Sequence, residues 1–345
     1  MSKEEEKDKF TLELIGVLEG HGGAVTSLVC GEENGAPLLI SGSRDKSIIK
    51  WQLHIDEPKE IITKVEDADE NGEIKVKEIK KYLVGKPLRS FHGHNHFVSS
   101  LALNSDSTKL VSGSWDKTIR LWDIPSSKSE QIFKGHTKDI LSIAFSHDER
   151  LIFSGGMDNT LKYWNTKGEL KFENNQFGGW VSCILNYTKE KQHYIAVGSW
   201  DGTVRILNSE YNIQRTIKGG EYAVTSMSTD DDGEYLFVAY KNGTIKVLNI
   251  EDKEGDKETD VKQVIETGID INAILFETKF FQIYALGTSK GLQIRRIKGA
   301  KKPDFEDNEN GACLSLTYDK SKEYLFAGFA DGTIKVYKTL NEGEN

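Results

Sequence analysis

One motif recurs along the chain and dictates its architecture. LLISGSRDKSIIKW ends at Trp51, KLVSGSWDKTIRLWD at Asp123 and LIFSGGMDNTLKYWN at Asn165. In each copy a serine stands four residues before an aspartate, and a tryptophan stands six residues after it. The trios are Ser41, Asp45, Trp51; Ser112, Asp116, Trp122; and Ser154, Asp158, Trp164. A Gly-His pair precedes each, at His21, His94 and His136. Fainter copies surround Asp201, Asn242, Lys290 and Asp331, which brings the count to seven. The turn positions step by 71, 42, 43 and 41 residues from Asp45 to Asn242, and 89 residues, two periods, separate Asn242 from Asp331. The long first step marks an insertion.

Each copy reads as strands. Ile-x-Val or Ile-x-Leu alternation flanks a short turn tipped by Asp-Gly, Asn-Gly or Asp-Lys, the signal of a hairpin. A period of roughly 40–45 residues with four strands per unit builds a β-propeller. That resolves a difficulty of size, because 345 residues exceed one ordinary hydrophobic core. The expected fold is all-β, a single seven-bladed propeller. Residues 10–18 (FTLELIGVL) should supply the outer strand of the last blade and close the ring. The expected organisation is a charged tail 1–9, a propeller 10–338 and a C-terminal tail 339–345. Within the ring, the blade 1 core spans 20–53, the insertion 54–86, blade 2 87–124 and blade 3 130–166. Blade 4 then spans 170–209, blade 5 213–250, blade 6 264–297 and blade 7 308–338 with the strand 10–18.

Composition narrows the function classes. With 45 Lys and Arg against 54 Asp and Glu, the net charge of −9 argues against a general polyanion binder but leaves room for a local basic patch. Cys30, Cys183 and Cys313 follow no metal-ligand spacing and point to a reducing compartment. No apolar run reaches the roughly 18 residues of a membrane helix, and the opening MSKEEEKDK lacks a signal-peptide core. A cytoplasmic protein with no membrane partner is therefore expected. There is no phosphate-binding loop, no nucleophile elbow and no cysteine placed beside a histidine. The expectation is accordingly no enzyme, no cofactor and no small-molecule substrate. HGHNH (92–96) sets three histidines at alternate positions, yet His94 is claimed by its blade, so no metal site is expected there.

At the residue level the chain resembles the receptor for activated C kinase family, WD-repeat scaffolds of the small ribosomal subunit. SRDKSIIKW (43–51), GHNHFVSSLAL (93–103), SGSWDKTIRLWD (112–123) and GHTKDILSIAFS (135–146) carry the likeness in the first half. WVSCI (180–184), DINAILF (270–276) and LFAGFADGTIKVY (325–337) extend it through the rest, leaving out 54–86 and 251–265. The resemblance implies that the histidine, serine, aspartate and tryptophan of each full repeat form one hydrogen-bonded set. That is physically sensible, because a buried carboxylate needs donors and a buried indole N–H needs an acceptor. Trp115, Trp180 and Trp200 lie off that blade position.

The resemblance also implies a docking element. Arg44 and Lys46 bracket the inward Asp45, and alternation aims both cations at solvent, where they suit phosphate oxygens. In the resembled family this turn contacts ribosomal RNA. Arg89 and Lys117 join them in a stretch, 86–120, that holds five cations against two carboxylates. His92 stands where the family commonly has another arginine. The implied partners are the small ribosomal subunit, through rRNA and ribosomal proteins, together with protein kinase C-type kinases and translation regulators. The competing expectation is a WD-repeat adaptor of a signalling or ubiquitin-ligase complex that never touches RNA.

The insertion has no counterpart in the family. Asp67, Asp69, Asn71, Gly72 and Glu78 fit the calcium-loop spacing, with EPKEIITKVE and VKEIKKYL as flanking helices. The other reading is a charged hairpin that turns at Asn71-Gly72. Neither residue type nor spacing separates the two.

Overall fold

The computed structural model describes residues 10–68, 74–250, 261–277, 283–297 and 302–341. Among them there is no helix. The first strand, β1 (Phe10–Leu18), is followed by β2 (Val25–Glu33), β3 (Ala36–Ser43) and β4 (Ile48–Leu53). A hairpin, β5 (Lys59–Ala68) and β6 (Ile74–Leu83), then intervenes before β7 (Gly85–Phe91). The second blade contains β8 (Val98–Leu103), β9 (Lys109–Ser114), β10 (Thr118–Asp123) and β11 (Lys128–Lys134). The third contains β12 (Ile140–Phe145), β13 (Leu151–Gly156), β14 (Leu161–Asn165) and β15 (Leu170–Asn174). The fourth contains β16 (Val181–Lys189), β17 (Gln192–Ser199), β18 (Thr203–Leu207) and β19 (Ile213–Lys218). The fifth contains β20 (Val224–Thr229), β21 (Tyr235–Tyr240), β22 (Thr244–Asn249) and β23 (Val261–Glu266). The sixth contains β24 (Ile271–Glu277), β25 (Ile283–Thr288), β26 (Gly291–Arg296) and β27 (Phe305–Asp307). The last pairs β28 (Cys313–Tyr318), β29 (Tyr324–Phe329) and β30 (Ile334–Asn341) with β1. The protein is a seven-bladed β-propeller.

The second strand of each blade is covered on both faces, so it reads as a nearly continuous apolar run such as LIFSGG or YLFVAY instead of an alternating one. The recurring glycine of that run has a packing reason. A Cβ on Gly113 would come 2.8 Å from Ile140 of the next blade, and one on Gly328 would come 2.6 Å from Val25 across the ring closure. Each innermost strand carries a bulge after its first residue, as at Val25/Ser27 and Val98/Ser100. The skipped residue is turned out of the ladder, toward the next blade. Ser99 Oγ there donates to Ile140 O at 2.6 Å and Ser182 Oγ to Val224 O at 2.6 Å, so side-chain hydroxyls stitch neighbouring blades.

Ring closure follows the sequence reading, with β1 antiparallel to β30 in the register Leu14↔Tyr337 and Leu18↔Ile334. The blade boundaries do not. Strand β7, which sequence repetition assigns to the second repeat, is the outer strand of the first sheet, whose order is β2-β3-β4-β7. The offset of one strand recurs around the ring, because the repeat in sequence begins one strand before the sheet it names.

The insertion is a correction to the helical reading. EPKEIITKVE and VKEIKKYL form strands, paired Ala68↔Ile74 through Lys59↔Leu83. β-branched residues populate both arms and favour an extended ladder over a helix. Asp67 pairs with Lys75 and Glu78 with Lys64 in the register, so the two positions stand about 10 Å apart along the backbone ladder. That geometry is not a helix–loop–helix calcium site. Asp69, Asn71 and Gly72 lie outside the described residues. The hairpin leaves the first blade and extends the last, Leu83 pairing parallel with Val17 and Val84 N donating to Val17 O at 3.3 Å. Gly16 permits that approach, since a Cβ there would lie 2.4 Å from the Tyr82 carbonyl oxygen and 2.6 Å from Val84 Cγ1. Gly16→Val is expected to prise the hairpin from the closing blade at a cost of about 1–3 kcal/mol. Gly22→Ala, where nothing lies within 4 Å, should be nearly neutral. Urea titration of both variants checks the contrast.

Candidate functional site

The three complete repeats build superimposable networks. Trp51 Nε1 donates to Ser41 Oγ at 2.7 Å, Ser41 Oγ lies 2.7 Å from His21 Nε2, and His21 Nδ1 lies 2.8 Å from Asp45 Oδ2. Trp122, Ser112, His94 and Asp116 repeat the chain at 2.8, 2.7 and 2.8 Å. Trp164, Ser154, His136 and Asp158 repeat it again at 2.8, 2.7 and 2.8 Å. The serine accepts from the indole and has one proton left for the imidazole, so the other ring nitrogen donates to the carboxylate. Burial alone would raise these carboxyls. Hydrogen bonds from the paired histidine and from Ser47, Thr118 or Thr160 outweigh it and hold Asp45, Asp116 and Asp158 well below the ordinary carboxylate range.

A stability prediction follows with a definite sign. The unfolded chain titrates these groups near pH 4, above their folded values, so they contribute stability that is fully present above about pH 4 and lost as pH falls below it. The urea midpoint should be level between neutral pH and about pH 5 and drop steeply under about pH 4. A flat profile down to about pH 2 would contradict the network's electrostatics.

In the fourth blade the set is rebuilt. Phe177 replaces the histidine, Arg205 stacks on its ring at 4.3 Å and lies 3.5 Å from Asp201. Asp201 still accepts from Gly178 N at 2.9 Å, as Asp45 does from Gly22 N at 2.9 Å. The aspartate thus serves the loop backbone whether or not a histidine is present.

The residue after the turn aspartate, or after Asn242 in the fifth blade, adopts a left-handed conformation in six of the blades. It is glycine at Gly202 (φ 79°), Gly243 (φ 83°) and Gly332 (φ 93°), and asparagine at Asn159 (φ 62°). In the first two blades it is lysine, Lys46 at φ 73° and Lys117 at φ 68°. A lysine in that region costs about 1 kcal/mol relative to glycine. Both lysines are exposed, as is Arg44, whose guanidinium reaches over the Phe97 ring at 5.7 Å from its centroid. These three cations share the propeller face that carries the turns. Arg89 does not join them, because it lies on the outer strand β7, exposed at the rim and opposite Lys50 in the ladder.

The three histidines of HGHNH part company: His94 belongs to its blade, His92 is exposed, and His96 stacks on Trp115 at 5.7 Å. Sequence reasoning left Trp115, Trp180 and Trp200 without a role, and the structure gathers them at the mouth of the central channel. The signal was available, since each stands immediately before an inner strand or a turn aspartate.

The WD domain, G-beta repeat family matches residues 12–52, 85–123, 127–165, 172–208, 211–249 and 302–338. A Neurospora crassa protein described as small ribosomal subunit protein RACK1 is 35% identical over 339 residues, covering 95% of this chain and 98% of that one. The chain belongs to the RACK1 family of WD-repeat proteins. A Drosophila melanogaster member with the same description is 35% identical, covering 95% of this chain and 97% of its own length. Cross-pathway control WD-repeat protein 2 of Flammulina velutipes is also 35% identical, over 94% of this chain and 97% of its own. Between the last two matched segments lies the sixth blade, whose turn at Lys290 has lost the aspartate. Thr288 takes over there, bonding Gly291 O at 2.9 Å and accepting from Lys290 N at 3.2 Å.

Proposed function

We propose that this RACK1-family chain is a non-enzymatic scaffold of the small ribosomal subunit, docked by Arg44, Lys46 and Lys117 on rRNA phosphates. Arg89 at the rim would meet rRNA or a ribosomal protein beside them. The observation that carries this reading is the strained lysine pair. Blades three, four, five and seven relieve the left-handed turn with asparagine or glycine, whereas the first two retain a cation at φ 73° and 68°. Lysine adopts the same conformation elsewhere, Lys191 at φ 67° and Lys322 at φ 62°, but at this turn position only the first two blades hold it, which supports a role for the pair. The names of the relatives, small ribosomal subunit proteins, supply the partner. The remaining blades would be free to recruit protein kinase C-type kinases and translation regulators, so a rigid ring sets where a recruited enzyme meets its substrates. The protein would then be cytoplasmic and ribosome-associated.

Pelleting with purified small subunits at two salt concentrations tests the reading. Three phosphate contacts predict that log affinity falls against log salt with a slope of about −2 to −3. Failure to pellet at low salt, or pelleting indifferent to salt, would overturn it.

A further inference from the structure

The channel mouth is framed by a backbone bond that recurs seven times. The residue before each turn position donates its N–H to the carbonyl of the residue before each inner strand: Arg44 to Ala24, Trp115 to Phe97, Met157 to Asp139, Trp200 to Trp180, Lys241 to Ala223, Ser289 to Asp270 and Ala330 to Ala312, all between 2.8 and 3.0 Å. The frame is the same in every blade, so the fold leaves these side chains to choice. Four aromatics fall in blades two and four, with Met157 between them, while blades five to seven hold alanine, serine or a charged residue there. The result is an aromatic crescent on one side of a symmetric ring. Its side chains are only half-buried or, for Trp200, 38% exposed. An exposed apolar patch of this kind carries a partner more often than it carries stability.

The crescent walls a cavity of about 400 Å³, within the roughly 300–1,000 Å³ of ligand pockets. Phe97 packs on Trp115 at 5.2 Å and Trp180 on Trp200 at 4.1 Å, which makes rigid walls. Leu141 and Leu314 also line it. Its hydroxyls are spent, because Ser99, Ser182 and Thr225 donate to carbonyls of the ring. Charge enters at the ends. The Arg44 guanidinium lies over Phe97 at 5.7 Å and the Lys241 ammonium over Trp200 at 5.1 Å, and no carboxylate lines the cavity among the described residues.

We infer that this cup docks a linear peptide that inserts one large apolar side chain among Trp115, Trp180 and Trp200 and sets flanking carboxylates against Arg44 and Lys241. A nucleobase would stack as well, but its acceptor edge would find the hydroxyl protons already given to ring carbonyls, and a buried unpaired acceptor opposes binding. A hydrocarbon side chain carries no such penalty, and carboxylates at the rim stay partly solvated beside the cations. The two proposals share Arg44, whereas Lys241 belongs to the cup alone and Lys46 and Lys117 to ribosome docking, so variants at those positions separate them.

Selection from a phage library of random dodecapeptides displayed against the full-length protein tests it. Enriched peptides should carry an aromatic or leucine flanked by Asp or Glu. As synthetic peptides they should quench the tryptophan emission, since three of the six tryptophans line the cup. Trp200→Ala and Lys241→Glu should each weaken binding about tenfold or more. Leu141→Arg, which sets a bulky cation in the cavity lining, should abolish it, and melting curves confirm that each variant is folded. Ribosome pelleting should be unchanged in Lys241→Glu. The inference fails if no acidic-apolar peptide is enriched or if enriched peptides bind the folded variants equally. It fails equally if oligouridylate, titrated in parallel, quenches the same tryptophans in a Trp200-dependent way.

Discussion

Arg44→Asp combined with Lys46→Glu should release the protein from small ribosomal subunits without unfolding it. Both side chains are exposed, and their backbone bonds, Arg44 N to Ala24 O at 2.9 Å and Lys46 N to Ser43 O at 3.2 Å, survive substitution. Asp45 between them keeps its bonds to His21 and Ser47 at 2.8 and 2.6 Å. Among the described residues the interaction lost is the Arg44 contact with the Phe97 ring, worth about 0.5–1 kcal/mol at an exposed site. At the interface two attractions become two repulsions, at about 1–2 kcal/mol each, so affinity should fall about 100-fold or more. A sucrose gradient reads the result, and unchanged co-sedimentation of the folded double variant would refute the docking assignment. Lys46→Gly is the sharper companion. It relieves the left-handed turn at φ 73° and should raise stability by up to about 1 kcal/mol while weakening docking. A lysine serving only the hairpin would show the gain without the loss.

Ser112→Ala should produce the largest loss of stability from a single atom. Ser112 is fully buried, accepts the Trp122 indole proton at 2.8 Å and meets His94 Nε2 at 2.7 Å. Alanine leaves a buried donor and a buried ring nitrogen without partners, each costing about 1–2 kcal/mol, for a total of about 2–4 kcal/mol. For a chain of this size that lowers Tm by about 5–10 °C. Water has no easy route to repair the gap, because Phe91 closes on Trp122 at 5.7 Å in an edge-on contact. A variant melting within a degree of the parent would show that the serine bridges nothing of energetic consequence. Ser199→Ala, in the fourth blade, provides the comparison: Ser199 matches Ser114, two residues before its turn aspartate, and the Ser112 position there is Val197. Among the described residues no tryptophan or histidine hangs on that hydroxyl, which accepts from Asp201 N at 3.3 Å and bonds the Asp201 carboxylate. Its substitution should be milder.

Much of this molecule is written locally. The Ser, Asp and Trp spacing brings one side chain from each of three consecutive segments to a single point once the hairpins form, so the sets at Asp45, Asp116 and Asp158 are legible without any knowledge of the ring. The same holds for the strand closing the last blade, because its alternation matches a sheet that lacks an outer strand. The insertion was legible only as two alternatives. Its Asn-Gly turn and its acidic spacing are both short-range features, and pairing between β5 and β6 prevailed because an open edge at β1 offered a partner to an extended hairpin and none to a helix.

By itself the sequence determined the period, the number of blades, the buried networks and the exposure of Arg44 and Lys46, all consequences of contacts between residues within one repeat. The tertiary structure alone decided that β7 belongs to the first sheet, that the inserted hairpin crosses to the last blade, and that Phe97, Trp115, Trp180 and Trp200 converge on one side of the channel. Those outcomes depend on which blades become neighbours when the ring shuts, as in the bond from Ser315 Oγ to Val25 O across 290 residues. Periodicity along a chain reports each blade's internal order but not the radial position at which separate blades bring their side chains together.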